Sequence, residues 1–308
     1  MLRIIGDTNI NFIGVRKIAF VISALLVVTG VVGLVMIANG TANLGIDFAG
    51  GTMITVSFDE RLSIEQLRSA VSGQFTDAQI TELSSFEKPN SFILKIKRPQ
   101  SEQEGKENVQ ALRNIFNTQF AGNNFAVVSE HIIGPAVGET LRNDAQKAIM
   151  ISLLGIIIYI WIRFDFRSGI AATIATFHDV LAVIGIIYVL GMEFDLLVVT
   201  ALLTLAGYSL TDTVVVYDRI RENLRRFRAK GEFAGAVNRS INEVLSRTLN
   251  TSMTTLIVVG TLYFFGGEVV HRFAFALILG IVVGTYSSVF VASPIVVEWE
   301  ARYPKRFK

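Results

Sequence analysis

The chain has 308 residues, of which 51% are hydrophobic and 18% charged, with a formal net charge of +2. Its mean hydropathy is positive, which excludes an ordinary soluble domain, and so small a charge gives no reason to expect a nucleic-acid partner. Cysteine is absent, so no disulfide, thiolate metal site or cysteine nucleophile is possible.

Six stretches are apolar over enough length to serve as transmembrane helices, about 18–38, 148–162, 169–190, 196–217, 248–265 and 273–297. The second and fifth are short, and reach full length only if 142–147 and 245–247 continue the helix. The first follows Arg16 and Lys17, as a signal peptide would. Its apolar run exceeds the usual ~7–15 residues and no small-x-small cleavage site follows, so it is expected to remain as a span. Basic residues set the orientation. Arg3, Arg16 and Lys17 precede span 1, and Arg163 and Arg167 lie between spans 2 and 3. Arg219, Arg221, Arg225, Arg226, Arg228, Lys230 and Arg239 lie between spans 4 and 5, and Arg302, Lys305, Arg306 and Lys308 follow span 6. The short opposite connections, 191–195 and 266–272, carry only Arg272. Both termini are therefore expected to be cytoplasmic. The expected organisation is an N-terminus and first helix over 1–41, an extracytoplasmic domain over 42–140, helices 2–6 over 141–299 with a basic cytoplasmic loop at about 218–246, and a cytoplasmic tail over 300–308.

The segment after span 1 turns at Gly50-Gly51, where glycine can take φ > 0, and Asp47 is placed to accept from exposed backbone N–H groups at that turn. A structural hinge is preferred there to substrate binding. Alternation over 52–58 predicts a strand. Ser63 with Gln66 three residues on is a capping box opening a helix. Strands over 79–86 and 91–97 flank the turn Glu87-Lys88-Pro89-Asn90. Val109, Leu112, Ile115, Phe116 and Phe120 share one face of a helix over 107–120, and 125–133 is a last strand. The order β-α-β-β-α-β is the ferredoxin-like pattern, which by itself names no function. The fold class is thus an α-helical polytopic membrane protein with a ferredoxin-like α+β domain between helices 1 and 2. Within this domain no His/carboxylate group has metal-ligand spacing and no Ser/His/Asp arrangement is present; His131 stands alone. No catalytic residue, metal or cofactor is expected.

Ionisable groups inside a span cost about 2.5–3.5 kcal/mol each on insertion scales, so their default reading is functional. Asp212 lies in span 4, two turns before the cytoplasmic charges. Arg247 opens span 5 on the same side and at similar depth. A buried carboxylate beside a guanidinium can work as a proton switch, with Ser209, Thr211, Thr213, Thr248, Asn250, Thr251, Ser252, Thr254 and Thr255 holding water or a proton path. The alternatives are a static pair that fixes helix packing and an interfacial anchor role for Arg247. His178 and Asp179 sit midway in span 3. Neighbours on a helix point ~100° apart, so one is expected to face the bundle and the other a neighbouring subunit. Gly30, Gly33, Gly185, Gly280 and Gly284 read as close-packing points, and Pro294 as a kink.

At these residues the chain resembles the SecF side of the SecD/SecF family of protein-export membrane proteins. The similarity is carried by Gly45-Ile-Asp-Phe-Ala-Gly-Gly-Thr52, by Gly134-Pro135-Ala-Val-Gly138, by His178-Asp179, by Gly207-Tyr-Ser209, by 212–223, by Ser246-Arg-Thr-x-x-Thr-Ser252 and by Gly284-Thr-Tyr-Ser-Ser288. The family commonly has Asn where this chain has Thr211, which keeps a hydrogen-bonding group. The resemblance implies a six-helix half-bundle of the RND superfamily in the bacterial inner membrane, with a periplasmic domain. It implies pairing with SecD and use of the proton-motive force to help an exported unfolded polypeptide through the SecYEG translocon. YajC and YidC are further candidate partners. It implies that Asp212 and Arg247 belong to the proton pathway. The alternatives are a small-molecule efflux half-transporter, for which one loop domain of about ninety residues offers too few walls, and a passive assembly subunit with no proton role.

Overall fold

The structure is a computed structural model that describes residues 8–83, 90–97, 101–226 and 233–304. The expected turn residues 87–89 and the basic residues Arg3, Arg228, Lys230, Lys305, Arg306 and Lys308 lie outside them.

A single 3-10 turn, Ile13–Val15, leads into α1 (Arg16–Ala38). A short α2 (Ile46–Ala49) precedes the small domain, which runs β1 (Gly51–Phe58), α3 (Ile64–Ser72), β2 (Gln79–Leu83), β3 (Ser91–Lys97), α4 (Glu102–Gln119) and β4 (Phe125–Ile133). The chain then returns to α5 (Pro135–Arg163), α6 (Phe166–Val189), α7 (Leu196–Arg226), α8 (Phe233–Phe265) and α9 (Gly267–Ser287). A π turn at Ser288–Ala292 and α10 (Ser293–Arg302) complete the last span.

The sheet order is β2-β3-β1-β4, with every neighbouring pair antiparallel. β1 and β2 are therefore parallel with β3 between them, the split βαβ arrangement of the ferredoxin-like fold. Its core forms on one face, where Ile54, Val56, Phe58, Phe92 and Leu94 meet Leu67 and Val71 of α3 and Val109, Leu112 and Phe116 of α4. Phe58 stands edge-on to Phe92, Phe116 and Phe120 at 5.6–6.1 Å. Each such buried ring contributes about 1.5–3 kcal/mol. The Ser63 capping box is complete: Ser63 Oγ accepts from Gln66 N, and Gln66 Oε1 accepts from Ser63 N.

Among the described residues, six helical stretches are long and apolar enough to cross a membrane: Ile13–Ala38, Pro135–Arg163, Phe166–Val189, Leu196–Arg225, Phe233–Phe265 and Val269–Arg302. The second and fifth gain their length from polar first turns, because α5 starts at Pro135 in the first-turn position that tolerates proline. The stretch read as a basic loop is helical on both sides, since α7 continues to Arg226 and α8 starts at Phe233. α6, α7 and α9 form the inner layer, with 56–61% of their apolar windows buried, against 11–17% for α1, α5 and α8. Glycines set the closest crossings. A Cβ on Gly185 would lie 2.6 Å from the Gly30 backbone N, and one on Gly280 would lie 2.6 Å from Leu205 Cδ1. Pro294 lies in the first turn of α10, just beyond the π turn.

Candidate functional site

Asp212 is buried in α7 at 5% exposure. Among the described residues its carboxylate receives only hydroxyls from α8: Thr251 Oγ1 at 3.5 Å and Ser252 Oγ at 3.4 Å. Ser252 is in turn 2.6 Å from Thr285 Oγ1 of α9. A cavity of about 300 Å³ opens beside them, walled by Tyr208, Thr211, Asp212 and Val215 of α7 and by Arg247, Thr248, Thr251, Thr254 and Thr255 of α8. Asp212 and Arg247 therefore share one cavity, but no ion pair joins them among the described residues. The close carboxylate–guanidinium pair expected from their depth is not formed: Arg247 is exposed while Asp212 is buried. Thr211 is exposed on the cavity wall and donates to Gly207 O at 3.3 Å. Thr248 is buried, and its hydroxyl has no partner among the described residues.

His178 and Asp179 correct the expectation that they diverge. Both are buried, at 4% and 0% exposure, and bond each other, with His178 Nδ1 2.8 Å from Asp179 Oδ1. Backbone direction separates the two Cβ atoms, but side-chain rotamers bring the groups back together. Ser209 Oγ donates to the other Asp179 oxygen, Oδ2. Ser209 is one turn before Asp212 on α7, so a polar layer runs from α6 through α7 to α8 and α9. Glycine makes room for it, since a Cβ on Gly284 would lie 3.0 Å from Ser209 Cβ.

The Gly45–Thr52 segment is a junction. Gly50 takes φ 72°, and a Cβ there would meet Ile133 O and Pro135. Gly51 has no positive φ; it is required by contact, because a Cβ would lie 2.5 Å from Ile46 Cγ2 and 2.8 Å from Ile96 O. Gly138 packs on the same turn, where a Cβ would come within 3.1 Å of Gly50 N. Gly134 caps α5 and Pro135 opens its first turn, where Pro135 adjoins Gly50. Asp47 does not cap its own turn as expected. Its Oδ2 accepts from Leu196 N at the start of α7, 3.0 Å away, so the motif reaches across to a membrane helix.

Sequence reasoning missed the cluster beside this junction. Glu193, in the connection from α6 to α7, meets Lys95 Nζ at 2.7 Å, Lys97 Nζ at 2.7 Å and Arg272 Nη1. Arg272 Nε also pairs with Asp195 at 3.0 Å, and Asp195 Oδ1 accepts from Val198 N to cap α7. Burial pushes the Glu193 carboxyl up, but the three cations outweigh it and hold it at about 2. Burial also raises Asp195, and Arg272 offsets this only in part. The available signal was two carboxylates in a five-residue connector facing the lone arginine of the neighbouring one.

Taken together, the helices and sheet define a multi-pass membrane protein with an RND-type half-bundle and one ferredoxin-like domain. Residues 114–302 match the family described as "Protein export membrane protein SecD/SecF, C-terminal", and residues 37–60 match the "SecD/SecF GG Motif". The chain belongs to the SecD/SecF family. It is 47% identical over 305 residues to the protein translocase subunit SecF of Thermodesulfovibrio yellowstonii, covering 96% of each chain. It is 42% identical to SecF of Desulfurispirillum indicum, covering 96% of this chain and 93% of that one. The crystal structure of SecDF from Thermus thermophilus, a translocon-associated membrane protein, superposes with a TM-score of 0.80 at 37% identity. That match covers 96% of this chain and 39% of SecDF. The relatives are named as translocase subunits, not as enzymes.

Proposed function

We propose that this chain is the SecF-type subunit of the bacterial inner-membrane export machinery. It pairs with SecD and uses the proton-motive force to promote late stages of translocation of unfolded polypeptides through SecYEG, with YajC and YidC as further partners. Both termini are cytoplasmic and the ferredoxin-like domain is periplasmic. Asp212 carries the proton, and Arg247 compensates its charge when the two approach across their shared cavity. The carrying observation is a buried carboxylate that, among the described residues, meets hydroxyls and no cation, on the wall of a cavity that also holds the exposed Arg247 guanidinium. Such a charge is costly to keep buried and unpaired, which favours a group that exchanges its proton. A static pair would need the ion pair that this geometry lacks. Thr211, Arg247, Thr251 and Thr254 of the cavity wall are exposed on this chain, which suits closure by a second bundle. Asp179, held by His178 and Ser209, is a second polar station of the same layer.

The decisive experiment is Asp212→Asn in vesicles that carry the full complex. Asn keeps size and hydrogen bonding but cannot titrate. At wild-type abundance it should abolish both proton uptake and gradient-driven export; wild-type export would sink the relay. Orientation is read separately in this cysteine-free chain, with Glu65→Cys labelled from outside and Arg221→Cys protected.

A further inference from the structure

The outer junction holds an ionic cluster that the relay does not use. We propose that Glu193 is a positioning residue for export: it fastens β3 of the small domain to the α6–α7 connection, so that the domain moves with the outer ends of α6 and α7. The motor in this proposal rests on the proton-coupled reading above; the tie itself does not.

Three observations converge on the connector. First, its one central carboxylate, 7% exposed, gathers Lys95 and Lys97 from β3 and Arg272 from α9. Asp195 takes the other face of Arg272. Asp47 and Arg68 line the adjoining cavity of about 560 Å³, so the cluster sits beside open space and is not sealed in a core. Removing the Glu193 charge leaves Lys95, Lys97 and Arg272 crowded against one another with one carboxylate fewer, and like charges at such range repel. Second, the backbone of the connector is hydrogen-bonded to the segment that enters the small domain. Gly45 N donates to Phe194 O at 2.9 Å, and Phe194 N to Asn43 O at 2.8 Å. Asn43 Nδ2 donates to Gly191 O, while its Oδ1 accepts from Lys97 Nζ. Asp47 holds Leu196 N. Third, the connector is too short to absorb motion: Leu190 caps α6 and Leu196 starts α7. Those helices carry Asp179 and Asp212. A shift of either helix is therefore passed to β3 through the connector.

The tie must stay made throughout turnover, which gives it a test that a folding role alone does not pass. Vesicles carrying the complete export complex are assayed for proton uptake and export in parallel. Glu193→Gln should leave proton uptake within about twofold of wild type, while export per proton falls about fivefold or more, an ordinary coupling between sites. The double variant Lys95→Cys/Glu193→Cys should show the same loss. Bridging the two thiols with a bifunctional methanethiosulfonate should restore export, and a reductant should remove it again. Wild-type export per proton in Glu193→Gln overturns the proposal. So does a bridged variant that stays inactive, which would mean that the contact has to open. If the unaltered complex takes up no protons, the relay reading fails, and hydrogen exchange then decides the tie. Glu193→Gln should raise exchange in β3 and in 191–196 together. A change confined to 191–196 overturns the tie.

Discussion

Two carboxylates of this chain are buried almost equally, Glu193 at 7% exposure and Asp212 at 5%, in opposite surroundings. Glu193 is held by Lys95, Lys97 and Arg272 at the junction of the small domain with the long helices. Asp212 meets two hydroxyls at 3.4–3.5 Å, and the nearby Arg247 stays apart from it. Burial alone does not say what an acidic group is for; the count of cations around it does. A carboxylate gripped by three cations is a fixed charge suited to joining elements. One gripped by none is suited to changing its charge.

The harshest way to break this contrast is to make Asp212 resemble Glu193. Thr251→Lys puts an ammonium on the residue whose hydroxyl now reaches Asp212. If Asp212 carries the proton as proposed, the resulting ion pair would have to be broken in every cycle. Export under a proton gradient should fall to the level of Asp212→Asn although the carboxylate is intact. Full export at normal abundance would show that charge fixation at Asp212 does not matter.

Gly51→Ala attacks the other end. Its Cβ needs space now held by Ile46 and the Ile96 carbonyl, and overpacking of this kind costs about 1–3 kcal/mol. Hydrogen exchange should rise in α2 and β3 and stay unchanged around Asp212. Equal loosening of both regions would mean that the two sites are not separable.

Much of this was legible in the sequence. The strand Gly51–Phe58 and the Ser63 capping box follow from alternation and cap chemistry, which are local. The apolar cores of the six spans were equally plain. The full lengths of α5 and α8 were less so, because residues before the apolar core are polar yet still helical. Asp212 and Arg247 could be placed at one depth from helix direction, but not their separation, which depends on side-chain rotamers. His178 and Asp179 failed for the same reason. The Glu193 cluster was invisible because a polar connector between spans reads as solvated, and its partners Lys95 and Arg272 lie 98 and 79 residues away.

The acid response of the junction sharpens the contrast further. The Glu193 pKa is lowered from 4.5 to about 2, so the stability it contributes is complete above about pH 4.5 and is lost as pH falls toward 2. Asp195 is shifted the other way, so its protonation does not oppose the folded form. Spin labels on Asn114→Cys in α4 and Val189→Cys in α6 should keep a sharp distance distribution to about pH 4.5 and broaden below it. Glu193→Gln should be broad already at neutral pH and should not change across that window. A wild-type distribution that broadens between pH 7 and 5 would place the controlling group elsewhere.

The smallest effect belongs to Ser63→Ala. Ser63 caps α3 inside the small domain and touches neither carboxylate. The substitution removes the oxygen that Gln66 N donates to, while the Gln66 side chain still reaches the Ser63 backbone. Loss of such a cap costs about 1 kcal/mol. Hydrogen exchange in α3 should therefore rise about fivefold, by the ordinary conversion of 1.4 kcal/mol per factor of ten. Export per proton should not change, because β3 keeps Lys95 and Lys97 on Glu193. This variant separates two explanations of the Glu193→Gln loss. If a mild softening of the domain away from the junction lowers coupling as much as removing the Glu193 charge, the domain's stability governs export. If only the junction variant uncouples, the connection to α6 and α7 governs it.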